Sequence, residues 1–310
     1  MDVLGLGTAA MDIVMQCDSL PREDGFSFIH TEQLLPGGSC ANVLVTLANL
    51  GISAGMIAAI GDDGYGIAFQ ADLDQCGVDT QFLIQRSLGT TLHTFITVEP
   101  TGSRAIFANL GNSLLSLSAE EVYPAMTDGI KVFYTDMFPG KPAIKIAEHC
   151  KKSGIPVVFN LECSPSFMKL CGVTSEELNH MIGLCDLFMT GKEALMELTA
   201  LGDFQQAARR LNERHNPPLG MVTTWGEGGA VWLCGTEEIK ASIYKVPAID
   251  TTGAGDAFAG GLIFSYFLQK ATPEIALDFA SGCAALKCTQ LGPRLKGGEH
   301  SVRELMAQYR

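Results

Sequence analysis

The chain has 310 residues, 47% apolar and 18% charged, which speaks against a disordered protein and is long enough to bury a core without disulfide or metal staples. Its 21 basic and 34 acidic residues give a formal charge of -13, the wrong sign for a nucleic-acid partner, because phosphate contacts need clustered Lys and Arg. No run reaches the roughly 18 apolar residues of a membrane span; the longest candidate is Ala257 to Leu268, so no membrane partner is expected. The start, Met1-Asp2-Val3-Leu4-Gly5, lacks the basic stretch and cleavage site of a signal peptide, and a cytoplasmic location is expected. The ten cysteines are scattered with no C-x-x-C pair, which predicts reduced thiols in core positions.

Apolar runs and turn residues predict strands at Val3 to Gly7, Ala54 to Ile60, Val132 to Thr135, Pro156 to Asn160, Leu187 to Thr190, Gly220 to Thr224 and Ala230 to Leu233. Helical spacing predicts helices at Ser39 to Leu50, Ile67 to Cys76, Ala143 to Ser153, Ser175 to Ile182, Lys192 to Leu198, Asp203 to Asn212, Ala254 to Gln269 and Pro273 to Thr289. Strands separated by helix-length segments predict an α/β fold: a doubly wound, mainly parallel sheet flanked by helices. Two stretches break the rhythm. Phe26 to Leu35 and Thr90 to Ala108 are strand-like without an intervening helix, and Glu99-Pro100-Thr101-Gly102 makes the second a hairpin. They predict a small β-sheet lid inserted at about 13–36 and 88–110 in one domain covering 1–310.

The sharpest chemical signal is Asp250-Thr251-Thr252-Gly253-Ala254-Gly255-Asp256-Ala257-Phe258, which opens the long apolar helix. Free N–H groups and the positive dipole end at a helix start suit an anion, and Gly253 and Gly255 let the backbone approach a phosphate. Asp256 sits where a base for an attacking hydroxyl would stand; the same residue would also serve as an ordinary dipole-complementing acid. Pro36-Gly37-Gly38-Ser39-Cys40-Ala41-Asn42 also ends a strand-like segment and opens a helix. Asn42 can donate to and accept from a polyol, and Asp12 can accept from sugar hydroxyls, although each also suits a helix or turn cap. Gly5-Leu6-Gly7-Thr8-Ala9-Ala10 matches a dinucleotide fingerprint, but Met11 to Met15 stays strand-like where that fingerprint needs a helix. No Walker loop, nucleophile elbow or metal spacing among the six histidines is present.

In order, Gly37-Gly38-x-x-Ala41-Asn42, Gly61-Asp62-Asp63-x-x-Gly66 and the segment Asp250 to Phe258 resemble the ribokinase-like, or PfkB, family of carbohydrate kinases over nearly the whole chain. The resemblance implies transfer of the γ-phosphate of ATP, with Mg2+, to a hydroxyl of a sugar or nucleoside. It implies that Asp256 is the base, with the backbone of Gly253, Ala254, Gly255 and Asp256 as anion hole. Asp12, Gly37, Gly38 and Asn42 match acceptor positions. Thr223, Gly226 and Gly228 match the nucleotide loop, and Asp250 and Thr252 match a monovalent-cation loop that would hold K+. Where members carry Asn-x-x-Glu for magnesium, this chain has Thr190 and Glu193, which implies altered magnesium use through a water held by the Thr190 hydroxyl. Ala10 stands where a sugar-binding Asn is common, which puts ribose itself in doubt. Arg104 on the hairpin, with Arg86 second, is a candidate for an anionic group on the acceptor. Phe26, Phe28, Phe95 and Phe107 are candidates for a nucleobase stack, a lid core or a contact between two copies, and exposed lid edges predict a homodimer through the lid. A non-catalytic sugar or nucleotide sensor on the same scaffold is the rival reading.

Overall fold

The computed structural model describes residues 1–100 and 104–309, with the Arg104 side chain also outside the description. Its strands are Val3–Leu6 (β1), Ala10–Cys17 (β2), Ile29–Gly37 (β3), Ala54–Gly61 (β4), Asp79–Arg86 (β5), His93–Val98 (β6), Arg104–Asn109 (β7), Val132–Thr135 (β8), Val157–Leu161 (β9), Leu187–Gly191 (β10), Met221–Thr224 (β11), Ala230–Cys234 (β12) and Glu237–Ala241 (β13). The helices are Ser39–Asn49 (α1), Gly64–Gln75 (α2), Gly140–Lys152 (α3), Pro165–Leu170 (α4), Ser175–Leu184 (α5), Lys192–Thr199 (α6), Phe204–His215 (α7), Ala254–Leu262 (α8), Pro273–Cys288 (α9) and Glu299–Gln308 (α10). A π-helical segment, Ile263–Leu268, prolongs α8.

Among the described residues, nine strands form one sheet in the order β13-β12-β11-β10-β9-β8-β1-β4-β5. β4, β5, β8, β9, β10 and β11 run parallel with β1; all but the edge strand β5 are apolar strands buried on both faces, as parallel strands should be. The last two strands depart from the expected rhythm: β12 and β13 turn back as antiparallel hairpins at the sheet edge. β5 and β13 were not legible as strands because both are edge strands with exposed polar residues. α2 begins a turn earlier than its apolar spacing suggests, because Asp63 caps it by accepting from the Gly66 N–H at 2.8 Å. The short α4 and the C-terminal α10 escaped the sequence reading.

β1 is the switch point: the chain leaves it toward β4 on one side and later returns to β8 on the other. In such sheets the crevice for a ligand lies beyond the carboxyl ends of the strands at that point. β3, β2, β6 and β7 form a separate four-stranded sheet in that order, matching the two irregular stretches. Its hairpin turn, at 101–103, lies outside the described residues. α8 packs closely on α1 and α9: a Cβ on Gly260 would lie 2.7 Å from Thr46 Cγ2, and one on Gly261 2.7 Å from Cys283 Sγ. All ten cysteines are free thiols. No helix of the described residues is long and apolar enough to cross a membrane.

Candidate functional site

The carboxyl ends of β1, β8, β9, β10 and β11 converge with the starts of α1 and α8. Asp256 stands in the first turn of α8 and is buried. Its carboxylate accepts hydrogen bonds from Ser39 Oγ and, at 2.7 Å, from Asn42 Nδ2, both in the first turn of α1. Burial pushes its pKa up to about 6, against the pull of these two bonds and with a further push from Asp12. A carboxylate with that value is ionised at neutral pH and still basic enough to take a proton in a transition state.

Gly253 caps α8 in the left-handed region, at φ 75°, and packs on the next loop so tightly that a Cβ would stand 1.8 Å from the Pro293 carbonyl oxygen. Ala254 N–H donates to Thr251 O at 3.2 Å and Ala257 N–H to Gly253 O at 2.9 Å. The N–H groups of Gly255 and Asp256 belong to the helix start, which has no intrahelical acceptors for them. Beside Gly255 the space is open; the nearest atom to a Cβ there is Glu162 Oε2, 3.8 Å away. Glu162 was missed in the sequence reading. It follows β9, accepts from Asn160 Nδ2, and lies in the field of Asp256 and Asp136.

On the small-sheet side, Asp12 accepts from Thr94 Oγ1 at 2.5 Å, and its burial raises its pKa while Thr94 and Arg294 lower it. A Cβ on Gly37 would fall 2.3 Å from Asp12 Oδ2. Gly38 precedes α1 at φ 89°, a conformation L residues avoid. Arg294, also missed, is buried, donates from Nε to Asn42 Oδ1 at 3.3 Å and pairs with Asp72. It fixes the Asn42 amide so that the nitrogen faces Asp256. Burial lowers the Arg294 pKa to about 10, with Asp12 pushing the other way.

Asp136, after β8, was also overlooked. It is fully buried and accepts from the N–H groups of Thr8 (3.0 Å), Cys40 (3.0 Å) and Phe138 (3.2 Å). Burial raises its pKa to about 6, opposed by those bonds. This accounts for Gly7 of the dinucleotide-like run, where a Cβ would lie 2.2 Å from Asp136 Oδ1; Gly5 packs on Leu44 and Cys40, and β2 rather than a helix follows.

On the nucleotide side the site is partly corrected. Thr190 lies next to the end of β10, buried, and its hydroxyl donates to the Leu161 carbonyl at 3.2 Å or the Gly191 carbonyl at 3.3 Å. That spends its proton on backbone and leaves the oxygen lone pairs, the part of a hydroxyl that would accept from a magnesium-bound water. Glu193 is exposed in the first turn of α6. Thr223 is buried in β11, its hydroxyl without a hydrogen-bond partner among the described residues. Gly226 and Gly228 bound the next turn, and a Cβ on Gly228 would intrude on the Trp225 indole. The Asp250 carboxylate accepts from Thr252 N–H and Gly292 N–H, both at 2.9 Å. Burial would raise its pKa, but these bonds and Lys287 bring it below the usual range. A monovalent cation does not fit as the resemblance implies, because the Asp250 carbonyl accepts a hydrogen bond from Lys287 Nζ at 2.6 Å.

The two arginine expectations fare differently. Arg86 is not available to a ligand: its guanidinium lies on Glu121, at 2.6 and 2.7 Å, and on Ser116. Arg104 begins β7 opposite Val98, and its side chain lies outside the described residues.

Comparison with known proteins agrees with this geometry. The model of the "pfkB family carbohydrate kinase" matches residues 2–297. The chain is 28% identical to an ATP-dependent ribose-1-phosphate kinase of Halopiger xanaduensis over 94% of this chain and 93% of that one. It is 27% identical to a 5-dehydro-2-deoxygluconokinase of Shouchella clausii, over 92% and 89%. A solved ribokinase of Arabidopsis thaliana, complexed with ribose and ATP, superposes with a TM-score of 0.82 at 22% identity over 98% of both chains; that likeness speaks for the fold. With the family model spanning nearly the whole chain and the relatives aligned end to end, this chain belongs to the PfkB family of carbohydrate kinases, phosphotransferases that use a hydroxyl as acceptor.

Proposed function

We propose that the chain transfers the γ-phosphoryl group of ATP to a hydroxyl of a sugar or sugar-like acceptor, with Asp256 as the base. The observation that carries this reading is a buried carboxylate with a pKa near 6, held by Ser39 and Asn42 at the start of an anion-binding helix. The acceptor lies against Asp12, Gly38 and Asn42, and Gly37 leaves the Asp12 carboxylate room. Asp256 takes the proton from the attacking hydroxyl as the bond to phosphorus forms. The N–H groups of Gly255 and Asp256 face the charge that develops on the transferred group, while the Ala254 N–H stays on Thr251 O; such stabilisation is the usual main work of a phosphoryl-transfer site. Thr223 and the loop from Gly226 to Gly228 hold the nucleotide.

Magnesium binds through one or two carboxylates plus phosphates and waters. Glu162 beside Gly255 is the carboxylate that fits, with Glu193 at the start of α6 as the second. When bound, the ion neutralises charge on the triphosphate. The small sheet acts as a lid that excludes water from competing as acceptor. Across its four strands Leu34, Ile13, Phe95 and Phe107 pair in one row, on the face opposite to Asp12 and Thr94. Phe107 is 68% exposed and Leu34 47%, which supports a homodimer that covers this row.

The test is a coupled ADP-release assay with MgATP and a panel of fructose, ribose, 2-keto-3-deoxygluconate, sugar phosphates and nucleosides. Asp256→Asn should lower turnover on the accepted substrate by about two to four orders of magnitude, the range of a positioned base, and leave ATP affinity unchanged. Full turnover by the variant overturns the assignment. Sugar binding without ADP release on any acceptor favours the sensor.

A further inference from the structure

Lys287 sits in the last turn of α9 with its side chain wholly buried. A buried ammonium has three protons to place and no water to take them. Here Nζ donates to the Asp250 carbonyl at 2.6 Å and to the Gln290 carbonyl at 3.1 Å, with Asp250 Oδ2 3.9 Å away. Two backbone oxygens from two loops and a nearby carboxylate are the donor set of a monovalent cation, and an ammonium group is close to such an ion in size and charge. We propose that Lys287 is a covalently attached cation that replaces a soluble monovalent ion in ordering the anion-hole loop.

The contacts around it show how it would act at a distance. Ile249 N–H and Asp250 N–H both donate to the Cys288 carbonyl, at 2.7 and 3.2 Å, so the end of α9 is stitched to the segment that enters the loop. Asp250 Oδ2 accepts from Gly292 N–H, and Gly253 rests on the Pro293 carbonyl. Lys287 thus clamps the segment 250–253 onto the segment 290–293, and Gly253 is the residue that caps α8. Lys287 does not touch the reacting atoms; it is a positioning residue for Gly253, Gly255 and the helix start. A soluble ion in this role must bind from solution, whereas a tethered ammonium keeps the loop set whatever the salt.

This inference rests on the kinase reading for its activity arm but not for its stability arm. The wild-type protein is assayed for turnover and melting temperature in potassium, sodium and tetramethylammonium chloride at constant ionic strength, so that screening is unchanged. Both readouts should be the same in all three salts. Lys287→Ala opens space for an ion: it should lose about 10- to 100-fold in turnover in tetramethylammonium, as expected for a displaced catalytic loop, and recover in potassium or ammonium. Its melting temperature should rise with potassium by mass action, since only the folded form binds the ion. Lys287→Met fills the space without charge and should be impaired in every salt. Strong potassium activation or stabilisation of the wild type overturns the proposal. So does a folded Lys287→Ala whose turnover and melting temperature ignore the cation. If no acceptor is turned over, the melting temperatures of wild type and variants in the three salts still decide it. If Lys287→Ala does not fold, the salt dependence of the wild type decides.

Discussion

Replacing Ser39 with alanine removes one of the two side-chain hydrogen bonds to Asp256 and leaves the other, from Asn42, in place. The Ser39 bond holds the carboxyl down against burial, so its loss must raise the pKa. A hydrogen bond to a charged group is worth about 1.5–3 kcal/mol. Taking the lower end, at about 1.36 kcal/mol per unit, moves Asp256 from about 6 to about 7. In wild type about half of Asp256 is ionised at pH 6, against about a tenth in Ser39→Ala, a deficit of about fivefold. By about pH 8 both forms are almost fully ionised and the deficit closes. The assay is the profile of log(kcat/KM) against pH, which reports the free enzyme and therefore the arrangement described here. The acid limb should keep a slope of one and move to higher pH in the variant. A deficit of the same size at every pH would mean that Ser39 holds the substrate or the loop, and the base argument would fall.

Gly253→Ala puts a Cβ at φ 75° and 1.8 Å from the Pro293 carbonyl oxygen; the backbone must move, and a loss of at least about 3 kcal/mol is expected in urea unfolding. An unchanged urea midpoint would refute the close approach. Asp136→Asn turns an amide N–H2 toward one of three backbone donors and should cost about 1–3 kcal/mol. Its pH dependence has a definite sign. The folded pKa, about 6, lies above the ordinary 3.8, so the contribution of Asp136 to stability is full below the lower value and is lost as pH rises through the higher one. The variant should therefore be more handicapped near about pH 4 than near pH 7, and a gap that widens with pH would contradict it. Arg86→Ala breaks a partly exposed pair with Glu121 and should cost about 1 kcal/mol or less with no change in acceptor KM; a large rise in KM for an anionic acceptor would return Arg86 to the site. Phe107→Asp charges the most exposed member of the apolar row and should shift sedimentation from dimer to monomer, whereas a wild type that is monomeric at micromolar concentration refutes the lid dimer.

What could be read from the chain depended on whether a residue's neighbours in space are also its neighbours in sequence. The inner parallel strands and α8 announced themselves through apolar runs, and Gly253, Gly255 and Asp256 share one helix start, so both were visible as local patterns. Edge strands such as β13, Glu-Glu-Ile-Lys-Ala, carry the charges that protect an edge and read as loop. Thr190 was visible as a departure from a motif, but the direction of its hydroxyl depends on the Leu161 carbonyl of the adjacent strand. Asp136, Glu162 and Arg294 lie in no motif that composition or spacing would single out; the ends of β8 and β9 bring Asp136 to Thr8 and Cys40 and Glu162 to Gly255, and the loop after α9 brings Arg294 to Asn42. Lys287 is the strongest case. In sequence it is a lysine in the last turn of a helix, where a cation suits the dipole and is ordinarily solvated. Its function, on the argument made above, follows from one tertiary fact: the turn after α9 folds over it, so that its ammonium meets the carbonyl of a residue 37 positions earlier. The resemblance of Asp250 and Thr252 to a cation loop was recognisable, but the group bonded to the Asp250 carbonyl is supplied by a different helix.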